Sequence, residues 1–499
     1  MTPNQYTPEE PISSIATALA PAALGIVRVS GKGCIELVSK AFSRPKALLE
    51  AAGNTLVYGW IQEVVSTSST TPRKIDEVML AVYRAPKSFT GEDMVEIFCH
   101  GGPAVVMAIQ NLMLKIGFRQ ANRGEYTFRA FINGKTDLTR AEAVKEIIDS
   151  HTDVSRSHAA GRLAGSLFEE IDSIKKLIVD TLAAIEVEIE YPEDEETIAD
   201  SFDREDIETA LKRLQALNDS WRGEKLYQDG ARVVLAGRTN AGKSSLFNAI
   251  LKEERAIVSD IEGTTRDWLE SWASINGIPV RLFDTAGLRQ TSDVIEAQGV
   301  EISRSLVHDA DVVLYLVDGT AGMNDEDHQF IENCKEPLIV VYTKSDKGGV
   351  LGAEPLGEGV AEDAVETVVE PVETTVSTVA GARGRLSPPV CAISSKTGAG
   401  LSELFAQIYG LLTADLGGSG AGSTTERTQA GLGSARQKEA VSEALECVRH
   451  ALVSADDNYS LDAVVQDLED ALDSLGEVTG DVTPDDVLGS IFANFCVGK

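Results

Sequence analysis

The segment "GRTNAGKSS" (residues 237–245) has the spacing of a phosphate-binding loop, in which glycine-rich backbone surrounds phosphate oxygens with N–H groups. A strand pattern, "ARVVLA", precedes it and a helical pattern, "SLFNAIL", follows it, which is the context that such a loop requires. We expect Lys243 to reach the β- and γ-phosphates and Ser244 to bind Mg²⁺ through its hydroxyl. The other predicted nucleotide contacts of this loop are Asn240, Ala241, Gly242 and Ser245.

Three further motifs follow in the order that a guanine-nucleotide hydrolase needs. "DTAG" (284–287) ends a strand pattern and would place one carboxylate in the water shell of the metal. "TKSD" (343–346) would read guanine, because Asp346 can accept hydrogen bonds from N1–H and the exocyclic amine while Lys344 covers the base. "SSKTG" (394–398) would present a backbone N–H to the guanine oxygen. The predicted contacts are Asp284, Thr285, Ala286, Gly287, Thr343, Lys344, Ser345, Asp346, Ser394, Ser395 and Lys396.

Two positions depart from the usual pattern of these hydrolases. Thr343 stands where the guanine motif usually has Asn, so we expect weaker GTP binding with the guanine preference kept. Leu288 follows Gly287 where Ras-like proteins carry a water-orienting Gln, so another group must support hydrolysis.

The segment "SDIEGTTRD" (259–267) could supply that support. Thr265 is the natural second Mg²⁺ ligand, and the Asn240 side chain with oxygens of residues 259–264 could hold a monovalent cation beside the transferred phosphate. The predicted nucleotide contacts here are Ser259, Asp260, Ile261, Glu262, Gly263, Thr264 and Thr265.

The 499 residues are too many for one ordinary core, and the pattern changes along the chain. Residues 1–133 mix short strand patterns with an apolar helix near 103–117, which indicates a small α+β domain. Residues 134–228 and 416–499 are helical in pattern, and 229–415 alternate strands and helices, which predicts a parallel sheet with helices on both faces. The α/β unit is therefore predicted to be inserted into a discontinuous helical domain. Its residues 347–390 form an acidic, low-complexity insert that we expect to be disordered or loosely held.

A formal charge of −33 excludes a uniformly basic surface for nucleic acid or anionic membrane. The best local basic run, residues 115–145, holds seven Lys and Arg against three acids, and a charged helix face together with folate ligands explains it better than RNA binding does. The six cysteines are widely scattered, which favours reduced thiols in a cytoplasmic protein. We expect no membrane span.

Four segments outside the nucleotide motifs resemble one family, and they occur in its order: "GIVRVSG", "SFTGEDMVEIFCHGGP", "RGEYTFRAFINGKTDLTRAEAVKEIIDS" and the terminal "FCVGK". The chain thus resembles the MnmE/TrmE tRNA-modification GTPases. The resemblance implies a multidomain fold: an α+β N-terminal folate-binding domain that dimerises, a discontinuous α-helical domain and an inserted α/β P-loop (Ras-like) G domain.

The same resemblance implies a K⁺-stimulated, Mg²⁺-dependent GTPase that forms a homodimer. It implies a heterotetramer with the FAD-dependent partner MnmG/GidA. Together they would add carboxymethylaminomethyl or aminomethyl groups at position 5 of the wobble uridine of certain tRNAs. The one-carbon unit would come from 5-formyl- or methylene-tetrahydrofolate.

Site roles follow from the resemblance residue by residue. The K⁺ ligands would be Asn240, Ser259, Ile261 and Thr264. Glu296 would orient the attacking water, against the alternative of an exposed helical Glu. The folate contacts would be Arg28, Glu96, Lys135 and Lys499, although Arg28 and Glu96 could instead form a structural ion pair. Cys496 is a possible reactive thiol, with packing as the favoured alternative. The N-terminal loop "LAPAALGI" lacks the glycines typical of the family.

Two other functions compete with this one. A ribosome-assembly-type GTPase switch would need an RNA-binding domain in a basic tail, whereas the C-terminal region here is acidic. A scaffold with a weakened G domain is suggested by Thr343. The terminal segment itself carries an apolar stripe at helical spacing, which predicts a docked helix; the stripe is Leu488, Ile491, Phe492 and Phe495.

Overall fold

A computed structural model describes residues 10–63, 72–190, 202–253, 269–284, 306–347, 388–414, 430–456, 461–483, 485–495 and 498. The chain divides into two compact units. The first comprises residues 1–150, 156–224 and 424–499, and the second comprises 151–155 and 225–423. No helix within the described ranges is long and apolar enough to cross a membrane. The predicted boundaries at 133/134, 228/229 and 415/416 remain predictions.

The N-terminal part of the first unit is an α+β domain with a six-stranded sheet in the order β3-β4-β5-β2-β1-β6. In β4 the buried Val78, Leu80 and Val82 alternate with residues of the opposite face, as expected for a strand that covers a core on one side. The elements are β1 Ile12–Ile15, β2 Ala22–Ser30, α1 Cys34–Ser39, α2 Pro45–Leu49, β3 Thr55–Gln62, β4 Lys74–Tyr83, β5 Met94–Gly101, α3 Pro103–Ile116, β6 Arg119–Gln120 and α4 Glu125–Ile132. The predicted helix near 103–117 is confirmed.

The rest of the first unit is helical. It combines segments that precede most of the second unit in the sequence with segments that follow it. Ile171, Ile174 and Ile178 recur every three to four residues along one helix and are fully buried in the shared core. The helices are α5 Leu138–Asp149, α6 Asp153–Ala164, α7 Ser166–Glu190, α8 Arg204–Asp229, α12 Ala435–Asp456, α13 Leu461–Thr479 and α14 Asp485–Ala493. The discontinuous helical domain is thus confirmed as a fold.

Helix α14 packs against α4 through its apolar stripe. Phe492 is fully buried, and its ring meets that of Phe128 edge-on with centroids 5.2 Å apart. Gly124 has a φ of 68°, and a Cβ there would overlap the Phe492 carbonyl oxygen, so glycine permits this close approach. The predicted docking of the terminal helix is therefore confirmed.

The second unit contains a six-stranded sheet in the order β12-β11-β10-β7-β9-β8. Five strands are parallel, and β8 pairs antiparallel with β9 at one edge; this edge strand was not predicted. The elements are β7 Ala231–Gly237, α9 Lys243–Glu253, β8 Leu269–Ile275, β9 Ile278–Asp284, β10 Val312–Asp318, α10 Asp325–Asn333, β11 Leu338–Thr343, a 3₁₀ turn Ser345–Lys347, β12 Val390–Ala392 and α11 Leu401–Thr413. Residues 348–387 of the predicted insert lie outside the described residues.

Candidate active site

The predicted phosphate loop joins β7 to α9, with the backbone that such a loop requires. Gly237 (φ 131°) and Gly242 (φ 98°) adopt conformations that favour glycine, and a Cβ on Gly237 would overlap the Leu316 carbonyl oxygen on the next strand. Asn240 also has a positive φ, 64°. The Lys243 side chain is buried, and its Nζ donates to the carbonyl oxygens of Gly237 (2.7 Å) and Arg238 (2.8 Å). The Lys243 ammonium group therefore lies inside the loop, where phosphates would bind.

A hydroxyl and a carboxylate meet beside this loop. Ser244, in the first turn of α9, donates from Oγ to Asp284 Oδ2 at 2.7 Å, and Asp284 ends β9 and is buried. Both groups are hard oxygen ligands of the kind that Mg²⁺ prefers. The described residues thus fit the predicted metal position, with Ser244 as a ligand and Asp284 next to it.

The two predicted guanine-reading motifs lie together at the ends of β11 and β12. The buried Ser394 donates from Oγ to Asp346 Oδ1 at 2.8 Å, and this bond lowers the pKa of Asp346. The exposed Asp346 carboxylate is therefore ionised at neutral pH and open to donors. Lys344, with a φ of 61°, donates from Nζ to the Asn240 carbonyl oxygen at 3.1 Å. That bond joins the guanine motif to the phosphate loop.

Thr343 also joins these two loops. It is 2% exposed, and its Oγ1 lies 2.7 Å from the Ala241 carbonyl oxygen and 3.3 Å from that of Val317. The hydroxyl therefore tethers the guanine motif to the phosphate loop without an amide. Weaker GTP binding on account of Thr343 remains a prediction.

Some predicted site residues lie within the described part of the chain but take no part in the contacts above. Others lie outside the described residues. Exposed or half-buried positions next to the contacts above are Ser245, Ser345, Ser395 and Lys396. The roles predicted for the following residues remain predictions, because they lie outside the described part of the chain: Ser259, Asp260, Ile261, Glu262, Gly263, Thr264, Thr265, Thr285, Ala286, Gly287, Glu296, Cys496 and Lys499.

The predicted folate contacts Arg28 and Glu96 face each other on the paired strands β2 and β5. Arg28 Nη2 lies 2.6 Å from Glu96 Oε1, so the ion-pair alternative is realised in this state. Arg28 Nη1 also donates to the carbonyl oxygen of Gly498 at 3.0 Å, which brings the chain end to this strand. Glu96 Oε2 accepts one longer bond, 3.3 Å, from Tyr83.

The Glu96 carboxylate can therefore accept further hydrogen bonds, and the amino-pyrimidine edge of a pterin could donate them. The rings of Phe89 and Tyr126 lie 5.7 and 5.6 Å from the Arg28 guanidinium, which gives the site aromatic walls. Lys135 is exposed, and its side chain lies close to Gly91 in the loop that carries Phe89. The donor and acceptor types therefore suit a folate.

Ion pairs account for much of the basic run at 115–145. Arg129 is fully buried and bonds to both Glu92 and Glu125 at 2.9 Å. Three other members of the run that also pair with acids are Arg119, Arg140 and Lys145. These contacts agree with the preference for a structural role over RNA binding.

Three residues that form ion pairs at the nucleotide loops were missed from the sequence. Arg238 of the phosphate loop pairs with the buried Asp327, and Asp318 pairs with Lys344. Asp318 ends β10, and the carboxyl ends of parallel strands are where such sites are built, so its position was a usable signal. Asp327 lies inside a helix and gave no comparable signal.

Comparisons with known proteins give a consistent result. Residues 138–496 match the family model for the "MnmE helical domain", and residues 11–135 match that for the "GTP-binding protein TrmE N-terminus". The tRNA modification GTPase MnmE of Treponema denticola is 49% identical, over 99% of this chain and 99% of its own. The proteins of the same name from Treponema pallidum and Borrelia turicatae are 42% identical (100% and 100% of the chains) and 39% identical (99% and 100%).

Proposed function

The chain belongs to the MnmE family of tRNA modification GTPases, and we propose that it hydrolyses GTP to GDP and phosphate in the course of tRNA modification. The observation that carries this proposal is the meeting of the guanine-reading pair Asp346–Ser394 with the phosphate loop through the bond from Lys344 to Asn240. Base recognition and phosphate binding thereby share one rigid edge of the sheet.

Guanine is selected by the charge of Asp346. An ionised carboxylate accepts from both N1–H and the exocyclic amine of guanine, whereas adenine has no N1–H to donate and places its amine elsewhere. Ser394 holds the carboxylate at a fixed orientation through its 2.8 Å bond. Selectivity follows because an unmatched base leaves this charge without donors.

Mg²⁺ is proposed to bind at Ser244 and Thr265, with Asp284 in the water shell. It would neutralise charge that develops on the β- and γ-phosphates. Lys243, released from the two carbonyl oxygens that it contacts here, would serve the same phosphates. For the attacking water we propose Glu296. For K⁺ we propose Asn240, Ser259, Ile261 and Thr264, with support from the family motif alone.

The N-terminal domain is proposed to bind 5-formyl- or methylene-tetrahydrofolate. Glu96 would accept from the amino-pyrimidine edge of the pterin, while Arg28, Lys135 and Lys499 would serve the glutamate. The carboxylate of Glu96 and the cationic side chains of Arg28 and Lys135 support this assignment. The proposed product is the 5-aminomethyl or carboxymethylaminomethyl wobble uridine of certain tRNAs, made in the cytoplasm with an FAD-dependent partner, MnmG/GidA, as a heterotetramer.

A homodimer through the N-terminal sheet is also proposed. One cross-strand row of its outer face is apolar, and Tyr58 and Met79 in that row are 53% and 46% exposed. Two further exposed side chains of the same face are Leu24 (63%) and Leu56 (61%). These exposed apolar side chains support association with a second copy.

Hydrolysis rates in KCl and in NaCl test the cation part of the proposal. We expect faster GTP turnover in KCl, and we expect Asn240→Ala to remove that difference while GDP binding remains. Equal rates in the two salts would contradict the K⁺ assignment and leave the GTPase itself intact.

Nucleoside analysis of tRNA from a deletion strain tests the modification itself. We expect the wobble modification to be lost in the deletion strain and restored by the wild-type chain but not by Lys243→Ala. A deletion strain with normal wobble uridines and altered ribosome assembly would instead support the ribosome-assembly switch.

A further inference from the structure

The segment from Asp318 to Asp327, between β10 and α10, contacts both nucleotide loops; we call it the β10–α10 brace. Two of its four acids, Asp318 and Asp327, each pair with a cation that belongs to a predicted nucleotide loop. The brace itself was assigned no role in catalysis or binding. Its contacts therefore raise the question of what it holds in place.

Asp327 anchors the phosphate loop from behind. Its carboxylate is fully buried, and Oδ2 lies 3.0 Å from Arg238 Nη2. Oδ1 accepts from the Tyr315 hydroxyl at 2.8 Å, and Oδ2 also accepts from the Asn324 backbone N–H at 2.9 Å. Because every oxygen is used, the carboxylate has one orientation, and Arg238 is aimed by it.

The same arginine reaches a second point of the brace. Arg238 Nη2 donates to the Gly322 carbonyl oxygen at 3.0 Å, so one guanidinium nitrogen bridges a helix start and the turn before it. Arg238 directly follows Gly237, at the entrance of the phosphate loop. A shift of this side chain therefore shifts the backbone that faces the phosphates.

Asp318 performs the equivalent task for the guanine motif. Its Oδ2 accepts from Lys344 Nζ at 2.5 Å, and its Oδ1 accepts from the Thr320 hydroxyl at 2.7 Å. Next to it, the Gly319 N–H donates to the Thr343 carbonyl oxygen at 3.0 Å. Both the side chain and the backbone of the guanine motif are thus fixed to the brace.

We propose that the β10–α10 brace positions the phosphate loop and the guanine motif relative to each other, with Arg238–Asp327 and Lys344–Asp318 as its two connections. Arg238, Asp327 and Asp318 are positioning residues, because they act through the loops. The proposal rests on the proposed GTP binding. Because the brace holds the loops that contact guanine and the phosphates common to both nucleotides, its loss weakens GDP and GTP binding alike.

Equilibrium binding of GDP and of a non-hydrolysable GTP analogue to the full-length Arg238→Gln variant tests this proposal. We expect both dissociation constants to rise about tenfold and by the same factor. Arg238→Lys keeps the positive charge, so it should bind both nucleotides more tightly than Arg238→Gln does. The matched control is Arg281→Gln, which removes the Arg281–Glu270 ion pair from the same sheet away from both loops.

A double variant separates positioning from general stabilisation. If Arg238 acts through Asp327, Arg238→Gln combined with Asp327→Asn weakens binding no more than the larger single effect. Asp318→Asn, which leaves the Arg238 connection intact, gives an independent second measurement with the same expected sign. It remains informative if the Arg238 variant does not fold.

The outcomes distinguish this inference from the function on which it rests. Variants that lose thermal stability but bind both nucleotides like the wild type would overturn the brace and leave the GTPase standing. A wild-type protein that binds no guanine nucleotide would instead overturn the proposed function.

Discussion

Glu146 gives the helical domain a pH dependence that can be measured. It lies on α5, where Arg162 donates to its Oε2 from Nε at 2.7 Å, while its Oε1 is buried without a hydrogen-bond partner among the described residues. Burial raises the pKa of Glu146 from 4.5 to about 7, and Glu142 and Glu224 add to the rise, although Arg162 opposes it. The carboxyl is therefore easier to bury with its proton than without it.

The stability of the folded state depends on whether Glu146 carries a proton. Protonated Glu146 contributes stability that is fully present below pH 4.5 and is lost as the pH rises through about 7. At about 1.4 kcal/mol for each pKa unit, ionisation of this group in the folded state costs roughly 3 kcal/mol at pH 8. Glu146→Gln keeps the shape and cannot ionise, so it should remove this cost.

Thermal unfolding followed by circular dichroism at 222 nm, at pH 5 and at pH 8, measures the difference. We expect Glu146→Gln to unfold close to the wild-type temperature at pH 5. At pH 8 it should unfold several degrees higher, because roughly 3 kcal/mol corresponds to about 6–12 °C in a domain of about 150–250 residues.

The matched control is Glu224, the other acid that accepts from Arg162. Burial alone would raise the pKa of Glu224, but the hydrogen bond from His158 and the charge of Arg162 outweigh it and lower the pKa. Glu224→Gln should therefore destabilise at pH 8 and less so in acid. A Glu146→Gln variant that is less stable than the wild type at pH 8 would refute the reasoning, because it would show that Glu146 acts as an ionised partner of Arg162.

Two further predictions concern single contacts. Thr343→Val removes the hydroxyl that bonds to the Ala241 carbonyl oxygen and should weaken GTP binding by about 1–3 kcal/mol in a calorimetric titration. Thr343→Ser should bind nearly like the wild type, and equal loss in both variants would contradict the hydrogen-bond argument. Phe492→Ala opens a cavity at the docked helix and should cost about 3–5 kcal/mol of unfolding free energy, measured by urea denaturation. The more exposed Val487 on the same helix is the control, and similar losses from Val487→Ala would show that the docking contact was misjudged.

The strands and loops of the nucleotide site could be predicted because their signals are local. A phosphate loop is one continuous run of residues, and β7 coincides with the apolar run "ARVVLA" that predicted it. The residues predicted to read guanine are likewise marked by their place at strand ends, so Asp346 and Ser394 could be named without knowledge of the fold.

Contacts between distant residues could not be predicted in this way. Arg238 meets Asp327 across 89 positions, and no periodic pattern marks either residue. Glu146 and Arg162 resemble surface residues of amphipathic helices, because helical periodicity assigns charged positions to solvent. Their burial depends on the helices that cover them. The edge strand β8 was missed because its segment, "LESWASI", has a weak apolar pattern.

The central claim is that this chain reads guanine through Asp346 and hydrolyses the nucleotide bound beside it. The most direct measurement compares GTP and xanthosine triphosphate as substrates for the wild type and for Asp346→Asn. The amide of Asn has a donor for the second oxygen of xanthine and loses the charge that accepts from guanine. We predict that the wild type prefers GTP and that Asp346→Asn prefers xanthosine triphosphate, with its affinity for GTP reduced at least about a hundredfold. Equal use of GTP by both proteins would contradict the account.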